Sequence, residues 1–129
     1  MENKEVIDAI ALVEGHLKLW GEAGAEKRLN MAKGIYAEQV KVVDPGGILN
    51  GIEEISDFIG DLLANNPGFE FRIVKPIEVH HHTALLSWQF GPASHPDQIT
   101  GQDVFTLAEG LIVSLLVFVN GVTQTTLNN

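Results

Sequence analysis

Cysteine is absent from this 129-residue chain, and with it go disulfides, thiolate metal sites and cysteine nucleophiles. Basic residues are scarce: 8 lysines and arginines stand against 17 acidic residues, for a formal net charge of −9. The few cations are scattered rather than clustered, which argues against nucleic acid as a partner. No segment approaches the roughly 18 uninterrupted apolar residues of a membrane span, and the start, MENKEVIDAI, lacks the basic residues and apolar run of a secretory signal. The expectation is a cytoplasmic protein that engages no membrane. Also missing are a Walker loop, a GxGxxG after a strand, a GxSxG elbow and an HExxH pair, so no cofactor is implied. Tyrosine occurs once, as Tyr36.

What is present suffices for a single domain spanning 1–129: at this length a chain that is 45% hydrophobic buries a core without covalent or metal staples. From Glu5 to Trp20 the apolar residues Val6, Ile10, Val13, Leu17 and Trp20 recur at spacings of four, three, four and three, the period of an amphipathic helix. Gly21 and Gly24 break it. Good helix formers in AEKRLNMAK predict a second helix over about 25–36. VKVVD then reads as a strand and DPGG as a turn. Ile52, Ile55, Ile59 and Leu62 or Leu63 form the stripe of a third helix over 52–64, closed by NNPG.

Beyond Gly68 the pattern changes to strand runs, FEFRIVKPIEV, ALLSWQF, DVFTL and LIVSLLVFV. Helices first with one early strand, then an antiparallel meander, predict an α+β domain whose helices cover one face of a curved sheet. The last run is apolar on both faces: Ile112, Leu116 and Phe118 alternate with Leu111, Val113, Leu115, Val117 and Val119. Helices on one side leave the other side bare, so a homodimer packed sheet to sheet is expected. The polar end VTQTTLNN is expected to fray.

Two aspartates stand out. In VKVVDPGG, alternation puts Val40, Val42 and Asp44 on one face of the strand, and in TGQDVFTLAEG it puts Gly101, Asp103, Phe105 and Leu107 together. An ionised carboxylate without partners is costly to bury, and two inward carboxylates in unlike surroundings can divide into a base and a proton donor. Both also have a plain structural explanation: Asp44 as a turn former accepting backbone N–H bonds, and Asp103 as a strand-end residue bonded to a neighbouring loop.

Among the histidines, His80-His81-His82 invites a metal reading, but no third ligand presents itself beside His80 and His82, and a solvent-exposed turn is expected. His95 sits in the loop GPASHPDQITG, which could cover a pocket mouth. His16, beside Val13, Leu17 and Trp20 on the first helix, is a candidate catalytic group or a satisfied core residue. Trp20, Phe71, Trp88, Phe90 and Phe105 supply aromatic surface for an apolar small-molecule site or for a core.

The order helix, helix, strand, helix, four-strand meander resembles the cone-shaped NTF2-like fold along nearly the whole chain. YAEQVKVVDPGG followed by NGIEEISDFI is similar to the stretch of ketosteroid isomerases and SnoaL-like proteins that runs from the end of the second helix into the third. GQDVFTLAEGLIVSLLVFV resembles their final hairpin. The resemblance implies a curved, mostly antiparallel sheet with three N-terminal helices on its concave side. It also implies cofactor-independent isomerase or cyclase chemistry on an apolar carbonyl compound. In the isomerases an aspartate directly before a proline in the first strand is the general base, the place Asp44 occupies. The aspartate opening the penultimate strand is held protonated to hydrogen-bond the substrate oxyanion, the place of Asp103.

The isomerases add an oxyanion tyrosine on the first helix, whereas Tyr36 aligns with the end of the second. His16 or Trp20 stands in that tyrosine's place, either able to donate a hydrogen bond without the phenol's acidity. SnoaL-like polyketide cyclases use an acid/base aspartate for an intramolecular aldol closure. Limonene-type epoxide hydrolases use an Asp-Arg-Asp set, for which Arg72 is the candidate although alternation groups it with Glu70 and Val74, opposite Phe71. A non-catalytic binding or dimerisation module on the same scaffold is the alternative, since fold does not fix function.

Overall fold

The apolar period at the start of the chain yields α1 (Glu2–Leu19), and the second run of helix formers yields α2 (Ala25–Ala32). A computed structural model describes residues 2–122, so the tail VTQTTLNN lies outside the described residues from Thr123 on. The second helix ends earlier than its composition suggests. Gly34 follows it, a residue that weakens a helix by about 1 kcal/mol, and the β-prone pair Ile35-Tyr36 is drawn onto the sheet, where the Ile112 N–H donates to the Ile35 carbonyl at 2.8 Å. Tyr36 is therefore not a helix-end residue; it opens β1 (Tyr36–Asp44).

The Pro-Gly-Gly turn does more than lead into a helix. It closes a hairpin between β1 and the four-residue β2 (Gly47–Asn50), and α3 (Gly51–Asn65) follows with no linker. Gly51 makes that junction possible at φ +87°, a backbone angle that costs side-chain-bearing residues energy. The expected run FEFRIVKPIEV divides into β3 (Glu70–Ile73) and β4 (Glu78–His80), because Pro76 offers no N–H to a ladder. Both pair with β5 (Thr83–Gly91), which continues antiparallel into β6 (Ile99–Ala108) and β7 (Leu111–Val119).

The sheet runs β2-β1-β7-β6-β5-β3, with β4 also on β5. Every pairing is antiparallel except that of β1 with β7. The meander is thus as expected for β5 to β7, and the early strand joins it as the parallel neighbour of the last. The three helices line the concave side of this cone-shaped α+β fold. There Val13 and Leu19 of α1 and Ile55 and Ile59 of α3 share one core with Val40, Val42, Leu86, Phe105 and Leu115 of the sheet. Among the described residues no helix is long and apolar enough to cross a membrane.

Two irregularities interrupt the ladders on either side of β7. The β6–β7 register shifts between Thr106 and Leu107, so that Thr106 faces Ser114 while Leu107 faces Ile112 and Val113 is left over, the arrangement of a β-bulge. This overturns the simple alternation expected for the last strand. Ile112 and Leu115 both turn into the core at 0% exposure, and among the large apolar side chains of the strand Leu116 and Phe118 are the exposed ones, at 42% and 61%. A matching shift in β1 between Tyr36 and Lys41 sets Tyr36 beside Ile112, inside the cone.

Arg28 on α2 is buried. Its Nε donates to Ser56 Oγ of α3 at 3.0 Å, and Nη1 donates to the carbonyls of Glu22 and Ala23 at 2.8 and 3.2 Å. One guanidinium thus ties the α1–α2 connection to α3, using the fixed fork that lysine lacks. Arg28→Met, which keeps the stem and leaves those acceptors unpaired, is expected to lower unfolding free energy by about 2 kcal/mol in a urea titration. A midpoint unchanged from wild type would show that the tie carries no stability.

Candidate functional site

The helices close only part of the cone. Between them and the sheet lies a cavity of about 220 Å³ lined by His16, Leu17, Trp20, Asp44, Phe58, Leu62, Phe71, Trp88, Phe90, Ile99, Asp103, Val117 and Val119. A wider groove of about 540 Å³ lies outside, between α1 and β3, but it is open and brings no comparable set of polar groups together. Strand alternation delivers the cavity's sheet side: Trp88 and Phe90 from β5, Asp103 from β6, and Val117 and Val119 from β7 beyond the bulge. Helix spacing delivers the rest, with His16 on α1, Trp20 one turn later just past its end, and Phe58 and Leu62 one turn apart on α3.

Asp44 and Asp103 share this cavity. Val117 is opposite Asp103 in the β6–β7 register, and continuing the Val43–Leu116 pairing by one residue puts Asp44 beside Val117. The carboxylates are thus borne by strands two places apart, about 10 Å between backbones at the usual strand spacing. Asp44 is half-buried, and its Oδ1 accepts the N–H groups of Gly46 and Gly47 at 2.7 and 3.0 Å. It is both a turn former and a cavity group, since these bonds occupy one oxygen of the two.

Asp103 is buried. Its Oδ1 accepts the Trp88 Nε1–H at 2.9 Å, and Oδ2 lies 3.4 Å from His16 Nε2. Gly101 explains how Trp88 reaches it. The two residues face each other across β5 and β6, and any Cβ at position 101 would collide with the indole and with the Phe118 carbonyl. The indole lies over the glycine and points its N–H at the carboxylate two residues on.

His16 is also buried, and its other nitrogen, Nδ1, stands 2.6 Å from the Tyr36 hydroxyl. Trp20 Nε1–H donates to the same hydroxyl at 3.0 Å. Trp20, Tyr36, His16, Asp103 and Trp88 therefore form one continuous polar chain through an apolar interior. Phe105 packs edge-on against the imidazole, ring centres 4.9 Å apart, and Phe71 stacks on Phe90 at 4.1 Å.

Of the residues singled out in the sequence, Asp44, Asp103, His16, Trp20, Phe71, Trp88 and Phe90 meet at this cavity, while Phe105 lies in the core outside its lining. Arg72 is not in the lining; it pairs with Glu70 at 3.1 Å on the far side of β3, so no Asp-Arg-Asp set is assembled. The triple histidine sits exposed at the β4–β5 turn, and His95 is exposed in its loop, outside the lining, while Ile99 of β6 is part of it. Tyr36 was missed because the reading carried a helix through it. The signal was present in Gly34, a helix-ending residue. Leu62 belongs to the α3 stripe read from the sequence, and Phe58, beside Ile59 and one turn before Leu62, was legible as its neighbour.

Burial pushes the Tyr36 phenol far above its ordinary value of 10.0, opposed by the Trp20 hydrogen bond and reinforced by the charge of Asp103. Tyr36 thus stays protonated over the whole physiological range. A hydroxyl that is harder to ionise folded than unfolded contributes stability that is complete below about pH 10 and is lost as pH rises further. Wild-type stability is expected to fall above that pH, and the fall should be shallower in Tyr36→Phe; equal slopes in urea titrations between pH 9 and about 11 would refute it.

A family model described as the SnoaL-like domain matches residues 16–115. Among solved structures, a candidate isomerase of the SnoaL-like family from Agrobacterium tumefaciens is similar at 25% identity and a TM-score of 0.82, over 89% of this chain and 99% of that one. A candidate SnoaL-like polyketide cyclase from Jannaschia sp. CCS1 shares the fold at 17% identity and a TM-score of 0.65, over 84% and 85%. An NTF2-like protein from Cytophaga hutchinsonii does so at 17% and 0.64, over 84% and 87%. No curated protein sequence matches the chain. With 100 consecutive residues matched by the domain, and the NTF2-like fold that carries it in view, the chain belongs to the SnoaL-like family.

Proposed function

We propose that this protein binds a small apolar carbonyl compound in the cavity and performs cofactor-independent acid/base chemistry of the isomerase or cyclase type. The observation that carries this reading is the meeting of two carboxylates from different strands at one apolar cavity. Asp44 keeps an oxygen free of its turn bonds and serves as the base. It takes a proton from the carbon next to the carbonyl; the C–H electrons form a C=C bond, and the carbonyl π pair moves onto oxygen. Asp103, when it carries a proton, hydrogen-bonds that oxygen. An isomerase then returns the proton to a different carbon. A cyclase instead lets the enolate carbon attack a second carbonyl of the same molecule, and the resulting alkoxide takes the proton from Asp44. The similarity to a candidate isomerase and a candidate polyketide cyclase supports both versions.

One observation favours a second reading, a binding or dimerisation module without catalysis: the bonds from Gly46 and Gly47 to Asp44 would exist in a simple turn. The two readings part in deuterium oxide. One- and two-ring enolisable ketones are expected to exchange the hydrogen beside the carbonyl for deuterium, followed by proton NMR. Asp44→Asn keeps an oxygen for the turn bonds and should slow exchange about 10²- to 10⁴-fold. No exchange with wild type, or an undiminished rate in the variant, would leave the binding module.

The convex face completes the proposal with a homodimer. Ile48, Val43, Leu116, Val104 and Leu85 occupy successive cross-strand positions on it, with Phe118 exposed alongside, an apolar row of the kind that marks an interface. Sedimentation equilibrium at micromolar concentration should give the mass of two chains, and Leu116→Glu the mass of one. A wild-type monomer would remove the dimer.

A further inference from the structure

The polar chain through the interior fixes where the hydrogens sit. The indole of Trp20 can only donate, so the Tyr36 oxygen accepts from it at 3.0 Å. The Tyr36 hydroxyl hydrogen must then find its own acceptor, and among the described residues His16 Nδ1, at 2.6 Å, is the one within reach. A protonated Nδ1 would press a second N–H onto the phenol oxygen and strand the hydroxyl hydrogen in an apolar interior, which is costly. Nδ1 is therefore bare, the imidazole is neutral, and its single hydrogen is on Nε2.

That hydrogen is underused. Nε2 lies 3.4 Å from Asp103 Oδ2, beyond the 2.7–3.2 Å of a well-formed N–H···O bond. Both residues line the cavity, so an oxygen entering there finds a neutral N–H next to Asp103. Trp20 lines the cavity too, but its N–H is committed to Tyr36, which decides between the two candidates for the absent helix tyrosine. The size of the site adds a limit. An apolar cavity of about 150 Å³ in another protein holds one benzene, so about 220 Å³ encloses one ring or two.

Resting on the acid/base reading above, we propose that Tyr36 is a positioning residue that locks His16 as the Nε2–H tautomer, and that this N–H binds the oxygen of a one- or two-ring enolisable carbonyl compound. Tyr36 itself is absent from the cavity lining and acts through the imidazole. A neutral donor suits the task, because it strengthens its bond as charge develops on the oxygen without adding a buried cation beforehand.

Two measurements on the full chain test this. In two-bond proton–nitrogen NMR spectra of the nitrogen-15-labelled protein at neutral pH, His16 is expected to show a protonated Nε2 and a bare Nδ1. In Tyr36→Phe the two nitrogens should move toward the averaged values of exchanging tautomers. A protonated Nδ1 in wild type, or a Tyr36→Phe spectrum unchanged at His16, overturns the lock. The second measurement uses 4-nitrophenolate, a one-ring oxyanion whose absorbance reports binding. Glutamine places an amide N–H near Nε2 whereas asparagine places one near Nδ1. His16→Gln should therefore bind within about threefold of wild type, and His16→Asn should be weaker by about tenfold or more. Equal binding by His16→Asn, or no binding by wild type at millimolar concentration, overturns the oxygen-binding role. Neither measurement reads turnover, so a failure of the catalytic reading is seen separately in the deuterium exchange.

Discussion

An imidazole buried among aromatic rings has two nitrogens that each need a hydrogen-bond partner, and much of this molecule follows from meeting that demand. His16 is 1% exposed. A buried polar atom without a partner is destabilising by roughly the worth of the hydrogen bond it lacks or more, so the residues around it are fixed in chemistry as well as in shape. Tyr36 reaches Nδ1 from a strand, and Trp20, one turn after His16 and just past the end of α1, closes on the same hydroxyl. On the other side, Asp103 faces Nε2 and is held in turn by Trp88, which lies flat only because position 101 has no side chain. Five polar side chains from one helix and three strands thus orient one another, and the cavity inherits their geometry.

The features legible in the sequence were those with an unbroken period. The stripe of α1, the stripe of α3 and the alternation of β6 each repeat long enough to name a face, and each named face is the one turned to the core. Asp103 was readable as inward on those grounds. What escaped was local interruption. The bulge at Val113 reverses alternation halfway along β7, and no composition rule announces it, because every residue nearby suits either face. Tyr36 has the parity of Val40, Val42 and Asp44, but its inward direction shows only once β1 is seen to begin there rather than at Val40. The four residues of β2 are too few to show a period and were absorbed into the turn before α3.

Membership of the SnoaL-like family gives the scaffold, and the departures from its isomerase-like pattern give the individual character. The single tyrosine of the chain stands on β1 rather than on the first helix, so its ring lies behind the helix residue that faces the cavity instead of facing it directly. The hydroxyl is displaced by one link, and the link is an imidazole. This changes the chemistry offered to an entering oxygen from a phenol to a neutral N–H, whose orientation is set from behind.

The parallel seam between β1 and β7 has a consequence for the order in which the site comes into being. Asp44 and Asp103 lie on strands that never touch; the strand that sets their separation is β7, through Val117. Seventy-two residues lie between Asp44 and Val117, and a contact of that span is among the last to repay the entropy of closing its loop. Chain emerging from a ribosome can form α1 and the β1–β2 hairpin long before β7 exists. No partly made molecule therefore presents both carboxylates at a fixed distance, and the cavity acquires its two-sided character only with the final strand in place.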